Sequence, residues 1–121
     1  MNPTLLLYVA LGGALGSVAR VGVALLIPAT RLPWGTLAVN VIGSFLIGYL
    51  MGRLGGFAPE NARWHSLLVA GFCGGFTTFS TFSWQTLDAL DRGQPLAAGS
   101  NVFFSVGFCL IATWLGWRLA R

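Results

Sequence analysis

The side chains able to do chemistry inside this sequence are neutral ones. Glu60, Asp88 and Asp91 are its three acids, and none lies within an apolar run. The one histidine, His65, stands beside Trp64 at the start of such a run and is expected to be interfacial. No nucleophile–base pair, metal-ligand cluster or phosphate loop is present, so an enzyme is not expected. What remains are amides and hydroxyls. The densest group is Gly71-Phe72-Cys73-Gly74-Gly75-Phe76-Thr77-Thr78-Phe79-Ser80-Thr81-Phe82-Ser83, with two adjacent glycines, five hydroxyls and four phenylalanines. Adjacent glycines weaken a helix, and hydroxyls satisfy backbone groups freed by a break. Freed carbonyls suit a small hard cation, and the N-terminus of the following half-helix favours an anion. The competing reading is an unbroken, glycine-rich packing helix.

Phe72, Phe76, Phe79 and Phe82 fall at offsets that place them on one helix face. They form either a packing stripe or a set of electropositive ring edges. A small anion without a formal cation in its path could be met by such edges and by hydroxyl donors such as Ser80 and Thr81. Asn40 adds an amide with two donors. Asn101, Ser105, Cys109 and Thr113 recur every four residues as a narrow polar stripe. Singly, each could be interhelical glue worth about 0.6–2 kcal/mol; together they could line an ion path.

The elements that must position these groups are membrane spans. Of 121 residues 55% are hydrophobic and 8% charged, against roughly 25% charged in a globular domain. A soluble chain this small cannot hide so much apolar surface. Pro3, Pro28, Pro33, Pro59 and Pro95 all lie outside the apolar runs and parse one domain, residues 1–121, into spans over 4–27, 34–52, 65–86 and 97–117. Each approximates the roughly 20 residues that cross the hydrocarbon. The five tryptophans fall near span ends. Met1-Asn2-Pro3-Thr4 lacks a cationic n-region, so the first run is expected to be a permanent span. The class is an all-α membrane protein, with the third helix expected to be broken.

The net charge is +4, its seven basic residues all arginine. They flank apolar runs, which points to anionic headgroups of membrane lipid rather than nucleic acid. Arg53, Arg63, Arg118 and Arg121 share the side of the termini; Arg31 and Arg92 occupy the other, with Arg20 able to snorkel toward it. This near-balance suits insertion in both orientations, though so few charges can balance by chance. Arg20 is the one charge within a span, and at central depth would cost about 2.5–3.5 kcal/mol. Near the span end it can snorkel or cap carbonyls, a structural role. Cys73 and Cys109 lack metal spacing and read as packing residues. Glycines four apart (Gly12 and Gly16, Gly48 and Gly52, Gly71 and Gly75) predict close helix contacts. Four helices cannot easily enclose a private aqueous path, so an oligomer is expected.

At these residues the sequence resembles the Fluc (CrcB) family of bacterial fluoride channels over essentially its full length. Three blocks carry the likeness: Gly12-Gly13-Ala14-Leu15-Gly16-Ser17-Val18-Ala19-Arg20; Trp34-Gly35-Thr36 through Asn40 to Gly43-Ser44-Phe45; and Gly74-Gly75-Phe76-Thr77-Thr78-Phe79-Ser80-Thr81-Phe82-Ser83. The resemblance implies an antiparallel, dual-topology homodimer with two pores in the bacterial inner membrane, exporting fluoride passively. It implies that Phe79 and Phe82 present ring edges to fluoride, with Asn40 nearby as a hydrogen-bond donor. It places Asn101, Ser105 and Thr113 on a polar track, and gives a structural sodium the backbone carbonyls of Gly74 and Thr77, with no organic cofactor. The sequence departs from the pattern at Ser17 and Val21, at Gln85, where a Glu is frequent, and at Asn101, where a Tyr can occur.

Two rivals share the span count. A small multidrug or cation exporter needs an ionisable carboxylate within its bundle, and no acid precedes Glu60. A non-transporting scaffold subunit needs a partner surface but no pore.

Overall fold

The computed structural model describes residues 2–28 and 30–121, and these are all helix, turn and short extended connections. Helix α1 spans Pro3–Leu26, with Pro3 in its first turn, where a missing N–H costs nothing. The Asn2 carboxamide accepts from the Thr4 N–H at 3.0 Å and caps the start. The end comes at Ile27, which turns extended ahead of Pro28.

Helix α2, Trp34–Leu54, stops at Gly55, whose φ of 68° is the left-handed conformation that glycine adopts freely. Asn61 Nδ2 donates to the Leu54 carbonyl at 2.8 Å and completes that cap.

The third span is composite, running 33 residues from Pro59 to Asp91. A 3₁₀ turn (Pro59–Asn61) leads into one turn of α3 (Ala62–Trp64), a π-helix over His65–Cys73 and one turn of α4 (Gly74–Phe76). Thr77 and Thr78 are extended, with φ/ψ of −90°/158° and −149°/109°. Helix α5 resumes at Phe79 and continues to Asp91, and α6 spans Pro95–Ala120. Both outrun their apolar runs, since helix ends in the headgroup region can be polar. Asp88 and Arg92, 2.8 Å apart, finish α5.

The third helix is therefore broken, though three residues past the expected glycine pair. Gly74 and Gly75 keep helical conformation. The smallness of Gly75 serves contact instead: a methyl there would come within 2.5 Å of the Gly13 carbonyl oxygen on α1. Gly12 and Gly16 face Leu67 and Phe72 of the π-helix so closely that any side chain would collide with backbone. On the other side, Gly48 and Gly52 of α2 meet Thr113, Trp117 and Ala120 of α6, and Gly116 meets Phe45. Two tight pairs result: α1 against the first half of the third span, and α2 along α6, with α5 leaning on α6. Close backbone approach of this kind holds helices together where hydrophobic association is weak.

Few large side chains are buried, Val39 and Phe76 among them. Many large apolar ones face outward, including Leu25 at 82%, Leu96 at 83% and Phe103 at 74% exposure. Water would oppose such a surface, and lipid solvates it. All four spans are long and apolar enough to cross a membrane, and the chain is a multi-pass membrane protein.

Candidate functional site

The break at Thr77–Thr78 organises the site. An extended pair inside a span frees backbone groups that must find partners. The Thr78 N–H donates to Asn40 Oδ1 at 2.8 Å, and Asn40 Nδ2 donates to the Thr78 carbonyl at 3.2 Å. One amide side chain thus satisfies both backbone groups of the break residue. The Thr78 hydroxyl accepts from the Thr81 N–H at 3.2 Å, capping α5, and donates to the Thr81 hydroxyl at 3.0 Å. Ser80 Oγ lies 3.3 Å from the Thr78 hydroxyl.

On the upstream side, the Thr77 N–H and hydroxyl both donate to the Cys73 carbonyl, at 3.0 and 2.9 Å. Arg20 Nε donates to the Gly75 carbonyl at 3.0 Å. The guanidinium meets the carbonyl end of a half-helix, where a cation is favoured. Among the described residues, no N–H donor reaches the carbonyls of Gly74 or Thr77.

A groove of about 340 Å³ opens beside this break. Asn40 and Ser44 line it from α2, Gly74 from α4, Thr77 from the break, Phe79 and Phe82 from α5, and Ser105 and Cys109 from α6. The Phe79 and Phe82 rings lie 5.4 Å apart at 45°. Phe79 is 78% exposed, so the groove has an open flank. Gly43 makes room, since a side chain there would strike the Thr77 methyl.

A directed hydrogen-bond chain ties α6 to α5. Ser105 donates to Asn101 Oδ1 at 3.2 Å, Asn101 Nδ2 to the Thr86 hydroxyl at 2.9 Å, and Thr86 to the Phe82 carbonyl at 2.8 Å. Asn101 and Ser105 are each 7% exposed, and their mutual satisfaction makes that burial tolerable.

The structure thus gathers Asn40, Gly74, Thr77, Phe79, Phe82 and Ser105 around one groove, with Asn101 supporting Ser105 from behind. Ser80 and Thr81 sit in the hydroxyl cluster of the α5 cap. Thr113 lies elsewhere: its hydroxyl donates to the Cys109 carbonyl at 2.9 Å, and it lines a second groove with Ile47, Trp114 and Trp117. The four-residue spacing explains this. Each step overshoots a full turn by about 40°, so three steps carry Thr113 about 120° around from Asn101.

The single phenylalanine face is likewise split. Phe72 and Phe76 stack at 5.6 Å before the break, and Phe79 and Phe82 pair after it. His65, expected at the interface, is 7% exposed, packed on Phe57 at 5.0 Å, with neither ring nitrogen hydrogen-bonded. Thr78 and Thr86 were not singled out by sequence reasoning. Their partners lie 38 and 15 residues away, beyond any local pattern. Gln85 buries an oxygen without a partner near the loop before α2. No cluster of three His, Cys, Asp or Glu side chains occurs among the described residues.

A family model described as "CrcB-like protein, Camphor Resistance (CrcB)" matches residues 7–117. A protein of Opitutus terrae named fluoride-specific ion channel FluC is 47% identical, covering 93% of this chain and 89% of its own. Its namesake in Geobacter sulfurreducens is 45% identical over 98% of both chains. One in Thermococcus gammatolerans is 42% identical over 100% of this chain and 99% of its own. Matched along nearly its whole length by model and relatives alike, the chain belongs to the CrcB family.

Proposed function

We propose that this chain forms a fluoride-selective channel that exports the ion passively across the cytoplasmic membrane and so confers fluoride resistance. The observation that carries this reading is the groove at the helix break, where an amide, two phenylalanine rings and two serines converge without any formal charge. Fluoride is small and strongly hydrated, so a pore must replace water's hydrogen bonds with other positive partial charge. The ring edges of Phe79 and Phe82 supply it, together with the Asn40 N–H left over from the Thr78 contact. A formal cation in so dry a place would bind the ion too tightly to release it. The names of the relatives support fluoride as the ion.

The open flank of the groove, with Phe79 exposed, supports completion by a second copy. The near-balance of arginines supports an antiparallel, dual-topology homodimer. A structural sodium fits the carbonyls of Gly74 and Thr77, which lack N–H donors, and would hold the break in shape. A negative-inside potential contributes about 2.3 kcal/mol per 100 mV toward expelling each anion, so no coupling ion is needed. The exporter reading is disfavoured because Asp88, paired with Arg92, and Asp91 lie in the last turn of α5, and neither lines the groove at the break.

Purified protein reconstituted in liposomes, followed with a fluoride electrode, tests the proposal. Efflux that chloride does not share supports it, and protein that assembles but passes no fluoride returns the reading to a scaffold.

A further inference from the structure

The seam between α2 and α6 holds two grooves that meet at Ile47. The first is the candidate ion site. The second, of about 520 Å³, is lined by Thr113, Trp114 and Trp117. It lies toward the C-terminal ends of both helices, because Gly52 packs on Trp117 and Ala120. That end is cationic. Arg53 and Arg118 occupy the last turns of α2 and α6, and the Arg121 guanidinium sits 3.9 Å from the Trp117 ring centroid.

We propose that Arg121, held over Trp117, is the anion-collecting mouth of the pathway at this end of the seam. The inference rests on the fluoride-channel reading. Continuing the α6 spacing by two more steps of four leads from Thr113 to Trp117 and Arg121. Its slow rotation about the helix carries the path from the first groove into the second. Past Ser105 and Thr113 the walls offer an anion little, so a cation at the exit lowers the barrier to entering or leaving. The aromatic face fixes the guanidinium at the mouth without neutralising it. At the mouth, in contact with water, it raises local anion concentration rather than trapping an ion. Arg121 is a positioning residue of the entry step.

Such an effect is screened by salt, whereas a packing role is not. The test is liposome fluoride efflux for wild type, Arg121→Gln, Arg121→Lys and Trp117→Leu. Ionic strength is set with an impermeant salt at about 20 mM and about 300 mM, which brackets the range over which screening becomes strong. Arg121→Gln should slow efflux about threefold or more at low salt and match wild type at high salt. Arg121→Lys should stay near wild type, and Trp117→Leu should fall between. Size-exclusion chromatography confirms assembly of each variant. An Arg121→Gln efflux equal to wild type at both salts, or reduced by one factor at both, overturns the mouth. A wild type that passes no fluoride overturns the channel reading itself, and the mouth with it.

Discussion

Asn40 and Thr78, 38 residues apart, hold each other by two hydrogen bonds, the amide taking both backbone groups of the break. This commits the Asn40 oxygen and one of its N–H groups, leaving one N–H for an ion. Asn40→Asp keeps the acceptor for the Thr78 N–H but removes both donors and adds negative charge to the groove. The expected outcome is an assembled protein whose fluoride efflux is at least tenfold slower. Asn40→Ala strands both backbone groups and should also lower stability by about 1–3 kcal/mol, read as a lower Tm in detergent. Wild-type efflux in Asn40→Asp would remove the amide from the pathway.

Gly74 and Gly75 are neighbours with opposite demands. A methyl on Gly75 meets the Gly13 carbonyl oxygen, whereas on Gly74 its nearest neighbour is 3.9 Å away. Gly75→Ala should therefore destabilise the fold by about 1–3 kcal/mol, as overpacking does. Gly74→Ala should leave helix content and Tm unchanged. Because the single chain has room at Gly74, which lines the groove, lost efflux in Gly74→Val with unchanged circular dichroism would report crowding of the ion site at that face. Unchanged efflux in Gly74→Val would dismiss Gly74 from the site.

The spans were legible because prolines and tryptophans mark their ends, and the close helix pairs because glycines recur four apart. The place of the break was not legible. Gly74-Gly75 weakens a helix locally, yet both stay helical, with Gly75 packed on α1, and the break falls at Thr77–Thr78, where Asn40 takes the freed backbone groups. The π-helix over His65–Cys73 was hidden too, since its apolar residues fit an α-helical period equally well. The polar stripe from Asn101 to Thr113 looks like one face in the sequence, but a spacing of four winds slowly about the axis and delivers its ends to different grooves. His65 looked interfacial beside Trp64, and only packing against Phe57 reveals its burial. Of the candidate site, the residue types were evident in the sequence. Their convergence depended on long-range pairings that a local pattern does not contain.

Cys109 offers a direct probe of the groove. It lines the cavity and is partly exposed, whereas Cys73 lines the same cavity at only 2% exposure. A small neutral thiol reagent, methyl methanethiosulfonate, should attach to Cys109, narrow the groove and cut efflux by more than about half, since even 1.4 kcal/mol in a barrier is tenfold in rate. Cys109→Ala should be insensitive and Cys73→Ala as sensitive as wild type. Inhibition that survives in Cys109→Ala would place the pathway away from this wall.

The central claim is that the Phe79 and Phe82 rings carry the ion rather than merely pack. Replacing either by Ile keeps apolar bulk and removes the quadrupole. Apolar swaps of similar volume usually cost under about 1.5 kcal/mol of stability, and Phe79 is exposed enough to cost less. The decisive measurement is fluoride efflux from liposomes bearing Phe79→Ile or Phe82→Ile, with assembly checked by size-exclusion chromatography. The account predicts normal assembly and efflux slowed at least tenfold, which corresponds to a loss of about 1.4 kcal/mol from the contacts that lower the barrier. Wild-type efflux in both variants would contradict it.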